Sequence, residues 1–268
     1  MDSPAASPTL VLIHGGAMSG AYWDRLLPHL RHPALALHLP GRAGKPADPM
    51  ELTVDEGAAS LVADVEAAGV DDIVLVAHSS GGLFTPGVAA GLAPRVRHIV
   101  LDAASVTPEG GRGLDSMKES HRERVIQAMA AARRDGWTLT TPGPESPDKV
   151  RGAYGGDDLD DETIEFMTDP VRCVKDSMNI YFQPVSWAAV GDVQITYLKH
   201  LRDRPSPPEL QDALIDRLRT MGREPRVLEI DSGHIPAVTH PEELARILDS
   251  IADSATDSAA STTKEHHA

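Results

Sequence analysis

Five apolar residues, Ile73-Val74-Leu75-Val76-Ala77, run without a break into His78-Ser79-Ser80-Gly81-Gly82. A continuous apolar run bounded by turn-forming residues is the pattern of a strand covered on both faces. When such a strand ends on a serine and passes straight into a glycine-led helix, the turn between them is sharp. It holds the serine in strained backbone geometry and lifts its Oγ above the sheet. Strand and helix approach closely there, so small residues are needed two before and two after the serine. Those positions are Ala77 and Gly81, the first carrying one methyl more than the usual glycine. The alternative is a solvent-exposed Ser-Gly turn, which the buried strand in front of it argues against.

The rest of the chain repeats the strand pattern. Short apolar runs at 9–13, 34–39, 99–101, 193–198 and 227–230 are each bounded by Gly, Pro or charged residues. Helical spacing lies between them. Trp23, Leu26, Leu27 and Leu30 predict a helix over 21–30, and Ala58, Leu61, Val62 and Val65 one over 54–68. Leu244, Ile247, Leu248 and Ile251 predict another over 241–251, which Pro241 at its first position and Glu242 and Glu243 in its first turn favour. Strands alternating with helices give an α/β fold, a mostly parallel sheet flanked by helices. The alternation stops between 105 and 190, where helices such as 116–134 and 161–166 are separated by turns like Thr141-Pro142-Gly143-Pro144. This stretch is expected as a helical cap inserted over the sheet's C-terminal edge. The core is then 1–104 with 191–253, and the small polar tail 254–268 is expected to be disordered.

Composition narrows the partners. The 268 residues carry a formal net charge of −15, which repels phosphate backbones and anionic lipid surfaces. Nucleic acid and membrane partners are therefore not expected, and a small-molecule substrate is; a homodimer stays open. Cys173 is the one cysteine, so neither an intrachain disulfide nor a cysteine zinc cluster can form, and it reads as a buried structural residue. Residues 1–8 are small and polar, without the charged and apolar regions of a secretory signal. With no apolar stretch near the roughly 20 residues of a spanning helix, a cytoplasmic location is expected.

A serine hydroxyl needs a base to become a nucleophile. Of twelve histidines, His234 is placed best, because Ser232-Gly233-His234 follows the last apolar run and precedes the last helix. His240, six residues on, is the next candidate. The base needs a carboxylate that comes between serine and histidine in the chain. Asp203 follows the run 193–198, and Asp102 ends the run before it; both fit. His14-Gly15-Gly16 follows the first run, where glycine lets the backbone approach a substrate. The amides of Gly16 and of Ser80 are the candidate donors to a developing oxyanion, Ser80 through its backbone alone.

Taken together, His14-Gly15-Gly16-Ala17, Trp23, Ala77-His78-Ser79-Ser80-Gly81-Gly82 and Gly233-His234 ahead of Pro241-Glu242-Glu243-Leu244 resemble the α/β-hydrolase superfamily. Within it the chain is similar to the plant methylesterase and hydroxynitrile lyase group and its bacterial relatives, over roughly 9–104 and 193–252. That resemblance implies that the acid precedes a Pro-Glu-apolar-Gln segment. Pro208-Glu209-Leu210-Gln211 follows Asp203 and favours it over Asp102. The lyases of the group carry a lysine just past the catalytic histidine, where this chain has Ile235-Pro236-Ala237, so ester chemistry is favoured over cyanohydrin cleavage. The expected activity is a serine hydrolase acting on a small ester, lactone or thioester, with neither metal nor organic cofactor. A lyase or cyclisation step on the same residues and a non-catalytic receptor are the alternatives. An aspartate-nucleophile dehalogenase or epoxide hydrolase is disfavoured by serine at 79. The cap's bulky residues, Trp137, Tyr154, Phe166, Tyr181, Phe182 and Trp187, are the candidates to line a pocket.

Overall fold

The six apolar runs form the strands β1 (Thr9–Ile13), β2 (Ala34–Ala36), β3 (Ile73–His78), β4 (Val96–Asp102), β5 (Gln194–His200) and β6 (Arg226–Ile230). In the computed structural model, which describes residues 7–141, 146–154 and 159–265, they pair in parallel in the order β2-β1-β3-β4-β5-β6. Successive residues of a strand point to opposite faces. Val11, Ile13, Leu75, Ala77, Ile99 and Leu101 enter one core. Leu10, Leu12, Val74, Val76 and Val100 enter the other. Both faces are covered, and for that reason the strands read as continuous apolar runs rather than alternating ones.

The helices are α1 (Val54–Ala67), α2 (Thr85–Gly91), α3 (Glu119–Asp135), α4 (Pro147–Tyr154), α5 (Asp161–Thr168), α6 (Pro208–Thr220), α7 (Pro236–Thr239) and α8 (Pro241–Glu265). Side chains of α1, α2 and α6 fill the first core, and those of α7 and α8 the second. Thr53 starts α1 with a reciprocal capping box, its hydroxyl accepting from Glu56 N while Glu56 Oε2 accepts from Thr53 N.

Three expectations change. The predicted helix over 21–30 is two 3-10 turns, Gly20–Trp23 and Leu27–His29. Pro28 explains this: it has no N–H to give, and within an α-helix its ring would meet the carbonyl of Asp24. The tail expected to be disordered from 254 continues α8 to Glu265. Leu244, Leu248, Ile251 and Ala252 anchor the helix in the core, and Ser254, Ala255 and Thr256 extend it, since propagation from a formed helix is far easier than nucleation. The helix after Ser79 opens as a 3-10 turn, Ser79–Leu83, before α2. The Pro142-Gly143-Pro144 turn, residues 1–6 and residues 266–268 lie outside the described residues.

Residues 105–190 carry α3, α4 and α5 between β4 and β5. Leu114, Val125, Met129 and Met178 form a small cluster of their own. The remaining buried side chains merge with the sheet's cores, Val150, Ile164, Met167 and Cys173 with one and Ile180, Val185 and Trp187 with the other. No described helix is long and apolar enough to cross a membrane.

Because β1 and β3 are neighbours while the chain leaves them in opposite directions along the sheet, a crevice opens beyond their carboxyl ends, where open α/β sheets bind ligands. His14-Gly15-Gly16 and Ser79 both emerge there.

Three buried histidines make the fold pH-sensitive. Burial first, then the charge of His234, holds His78 at about 3, and burial with Arg226 nearby holds His98 at about 4. Burial likewise keeps His14 well below its ordinary 6.5. Between pH 6.5 and about 4 the unfolded chain binds protons that the folded one refuses. Stability is therefore full above pH 6.5 and falls as the pH drops through that window. Thermal melts from pH 7.5 to 4.5 should show the fall, and His98→Gln, which keeps a partner for Thr196 Oγ1, should flatten part of it. A melting temperature constant over that range would contradict the account.

Candidate active site

Ser79 directly follows β3 with φ 51°, a left-handed backbone that costs a non-glycine residue about 1–3 kcal/mol. Packing holds it there. A Cβ on Gly81 would lie 2.8 Å from His14 O and 3.0 Å from Ile13 O, and one on Gly82 only 2.2 Å from Ser105 O. Strand and turn thus cross with backbone against backbone. Ala77 stands in register between Ile13 of β1 and Leu101 of β4, fully buried, so its methyl is part of the core.

Above the turn three side chains form a row. Ser79 Oγ is 3.0 Å from His234 Nε2, and His234 Nδ1 is 2.6 Å from Asp203 Oδ2. A carboxylate only accepts, so Nδ1 carries the proton toward Asp203 and the Nε2 lone pair faces the serine hydroxyl. His234 sits between β6 and α7, its carbonyl accepting a hydrogen bond from His78 Nε2 at 2.8 Å. Asp203 follows β5, and its Oδ1 accepts from Ser206 N at 2.7 Å. Burial pushes the Asp203 carboxyl up, but the charge and hydrogen bond of His234, the Ser206 N–H and His200 outweigh it. The net result lies below the ordinary carboxylate value, so Asp203 is ionised near neutrality.

Asp102 is elsewhere in the same network. Fully buried, it meets His200 Nε2 at 2.6 Å, and His200 Nδ1 lies 3.7 Å from Asp203 Oδ2. Asp203 touches His234, and Asp102 stands one imidazole behind it. Gln211 of the Pro208-Glu209-Leu210-Gln211 segment fixes this loop, accepting from His200 N and donating to the carbonyls of His200 and Ser206. His240 pairs with Thr239 Oγ1 and takes no part in the row. Donor atoms of His200, Asp203 and His234 fall within 4.8 Å of one another, a spacing open to a cation. Such an ion would have to break the Asp203–His234 hydrogen bond and reach an imidazole with 0% exposure.

Gly16 and Ser80 meet beside Ser79. A Cβ on Gly16 would lie 3.0 Å from both Ser80 Oγ and the Tyr181 hydroxyl, so a side chain there would have to push one of them aside. Ser80 is the second residue of its 3-10 turn, where an N–H has no partner within the turn. Its hydroxyl hydrogen-bonds Tyr181, whose phenol burial pushes up to about 12. The next residue in the loop, Ala17, is again left-handed at φ 58°. Ala17 N donates to Asp176 Oδ2 at 2.8 Å, and Arg42 Nη2 donates to Asp176 Oδ1. Burial pushes the Asp176 carboxyl up, with Arg42 and the Ala17 N–H pulling against it.

Ser79 and His234 face a cavity of about 700 Å³, walled by Met18, Val150, Tyr154, Met167, Cys173 and Tyr181. Tyr154 lies nearly parallel to the His234 ring, 15° between planes and 6.1 Å between centroids. Of the other bulky residues between β4 and β5, Phe166 has the Arg25 and Arg172 guanidiniums 4.9 and 4.4 Å from its ring centre, Trp187 is in the sheet core, and Trp137 is 43% exposed. Cys173 is buried, its thiol pushed up to about 11 and bonded to Met167 O.

The model of the alpha/beta hydrolase family matches residues 10–247. The chain is 26% identical to the lipase LipV of Mycobacterium tuberculosis over 258 residues, covering 91% of this chain and 93% of that one. Among solved structures it is similar to an extracellular α/β-hydrolase from a Paenibacillus species, described as a homologue of tobacco salicylic acid binding protein 2. The TM-score is 0.73 and the identity 18%, over 90% of this chain and 97% of that one. A methylesterase from Arabidopsis superposes with a TM-score of 0.66 at 16% identity, over 90% and 97%. The resemblance to the plant methylesterase group thus extends to the three-dimensional fold.

The backbone crossing can be tested directly. Gly81→Ala should lower stability by about 1–3 kcal/mol, because carbonyl oxygens of β1 and its loop must move away from the new methyl. Equal melting temperatures for Gly81→Ala and wild type would refute the close packing.

Proposed function

The chain belongs to the α/β-hydrolase family and is a hydrolytic enzyme of it, and we propose that it cleaves a carboxylic ester through an acyl intermediate on Ser79. The observation that carries this reading is the hydrogen-bonded row from Ser79 Oγ through His234 to Asp203, opening on the cavity. His234 Nε2 takes the hydroxyl proton as Oγ attacks the ester carbonyl carbon. Asp203 holds the ring in the tautomer that leaves Nε2 free, and its negative charge stabilises the imidazolium that forms. The amides of Gly16 and Ser80 face the carbonyl oxygen as it gains charge. His234 then returns its proton to the leaving alkoxide. In the second half water attacks the acyl group as His234 removes its proton, and His234 gives that proton to Ser79 Oγ as the bond to the acyl carbon breaks and the acid leaves.

The cavity supports a substrate of small-molecule size with a sizeable apolar part, since about 700 Å³ falls within the usual range of ligand pockets and its walls are mainly apolar. Lactones and thioesters present the same carbonyl chemistry and belong to the same proposal. The resemblance to LipV and to a methylesterase supports ester over amide cleavage. A cytoplasmic location is part of the proposal, supported by the lack of any cysteine pair for an oxidising compartment to join.

Ser79→Ala should abolish hydrolysis of p-nitrophenyl esters without unfolding the chain, and rapid quenching of wild type should show an acyl adduct in intact mass. Substantial turnover by Ser79→Ala would end the serine mechanism. Asp203→Asn should favour the wrong imidazole tautomer and lower the rate by about 10⁴ at neutral pH. Asp102→Asn, which keeps an acceptor for His200 Nε2, should be far milder. The reverse ranking of the two would show that the acid is misassigned.

A further inference from the structure

Arg42 and Asp176 form an ion pair with 1% and 3% side-chain exposure, close to the site but outside the row. Burying two charges is expensive, and a well-packed apolar pair is often as stable, so stability by itself does not explain their presence. Their hydrogen bonds show where they act. Arg42 Nε donates to Met18 O, Arg42 Nη1 to Pro40 O and Arg42 Nη2 to Asp176 Oδ1, while Asp176 Oδ2 accepts from Ala17 N. Both carboxylate oxygens accept, as an ionised group must. Two of the four contacts therefore end on the backbone of Ala17 and Met18, directly after Gly16.

The same loop is fastened to the cap at further points. Ala17 O accepts from Val174 N at 3.1 Å, Arg172 O accepts from Ser19 N at 2.7 Å, and Ser19 Oγ donates to Val171 O at 2.8 Å. Asp176 is itself fixed, its N–H donating to Thr141 Oγ1 at 2.7 Å and its carbonyl accepting from Thr141 N at 3.0 Å. Ala17 occupies a left-handed conformation that an alanine leaves unless something holds it. Relaxation at Ala17 would turn the Gly16–Ala17 peptide and shift Gly16, and a glycine, with no side chain to hold its backbone, passes that shift on to its own N–H one peptide earlier. Asp176 takes up the N–H of Ala17, which leaves that of Gly16 for the substrate. Among the described residues none accepts from Gly16 N.

We propose that the Arg42–Asp176 pair is a positioning element of the oxyanion site: Asp176 pins Ala17 so that Gly16 N–H is aimed at the substrate carbonyl oxygen, and Arg42 holds Asp176 and the Met18 carbonyl in place. The two are positioning residues and touch no reacting atom. The cap thereby supplies part of the catalytic geometry as well as the pocket wall. The proposal rests on the acyl-transfer reading above.

The test removes both charges together, as Arg42→Met with Asp176→Leu, so that neither is left buried without its partner. On p-nitrophenyl butyrate kcat should fall about 100-fold with KM nearly unchanged, the size expected from a mispositioned catalytic group. Phenylboronic acid, whose adduct with a serine places an oxygen where the oxyanion forms, should bind more weakly by a similar factor. If the pair only anchors the cap, the double variant will show a raised KM or a lowered melting temperature, with kcat and boronate affinity unchanged, and the proposal is overturned. Should the double variant not fold, Asp176→Asn is read by the same two measurements, and a wild-type kcat and boronate affinity overturn the proposal. The underlying reading has a separate control. If Ser79→Ala binds the boronate as tightly as wild type, the acyl-transfer mechanism has failed; if boronate binding needs Ser79 but ignores the pair, the positioning role alone has failed.

Discussion

A serine at φ 51° persists at the end of a strand only where the surrounding backbone leaves the chain nowhere to relax, and here that confinement is supplied by contact between main chains. The turn after Ser79 lies against the carbonyls of Ile13 and His14 on one side and against Ser105 on the other, with Gly81 and Gly82 at the contacts. The elbow therefore depends on three strands at once: β3 carries it, the end of β1 lies under it, and the chain leaving β4 backs it. The energy stored at Ser79 comes from the two apolar cores that clamp those strands. Since β1 is confined by the same contact, the loop that begins at His14 is placed relative to Ser79 by the crossing that strains the serine.

Charge is then layered behind the elbow in a graded way. His234 sits at the cavity, Asp203 is buried behind it, and His200 and Asp102 lie with 0% exposure deeper still. A carboxylate so far from water stays ionised only if hydrogen bonds and positive charge replace its hydration. Asp203 meets that condition with the His234 and Ser206 N–H groups, while Asp102 pairs with His200 through Oδ1. The two candidate acids thus have different partners: one holds the imidazole that faces the cavity, and the other satisfies a second imidazole that packs against the first carboxylate.

The strands are legible in the sequence because burial on both faces leaves continuous apolar runs, and Ile73 to Gly82 announces the turn because a strand, a serine and two glycines in that order have few other uses. His234 is legible from its place between the last run and the last helix. Asp203 and Asp102 cannot be separated by position alone, since both follow apolar runs on neighbouring strands; Gln211 is the signal that separates them, and it acts by stapling the His200–Ser206 loop. The helix expected at 21–30 fails on Pro28, a residue visible in the sequence whose i−4 clash outweighs the apolar spacing. Arg42 and Asp176 are not legible, because they lie 134 residues apart and a cation after Pro40-Gly41 reads as a solvated loop. Tyr154 and Tyr181 belong to a set of six aromatic candidates, and spacing gives no means of separating these two, which face the cavity, from the other four.

The loops after the strands and the segment between β4 and β5 contribute unevenly to the site. The proposed nucleophile, base and acid all come from loops at the carboxyl ends of β3, β6 and β5, so the sheet fixes their relative positions. The apolar wall comes largely from residues after β4, with Val150, Tyr154, Met167, Cys173 and Tyr181 facing the cavity. Several of these side chains belong to the same clusters as the strands, Val150, Met167 and Cys173 among them. Their positions are therefore coupled to the sheet by packing, and the stretch Val171–Asp176 is coupled again by hydrogen bonds to the loop after β1. A substitution that reshapes the wall near Val150 changes only apolar volume. One that shifts Val171–Asp176 moves the backbone beside Gly16. On the proposed mechanism, selectivity and chemistry are separable along the first part of this segment and joined along the second, because main-chain hydrogen bonds from the second part end on the loop beside the serine.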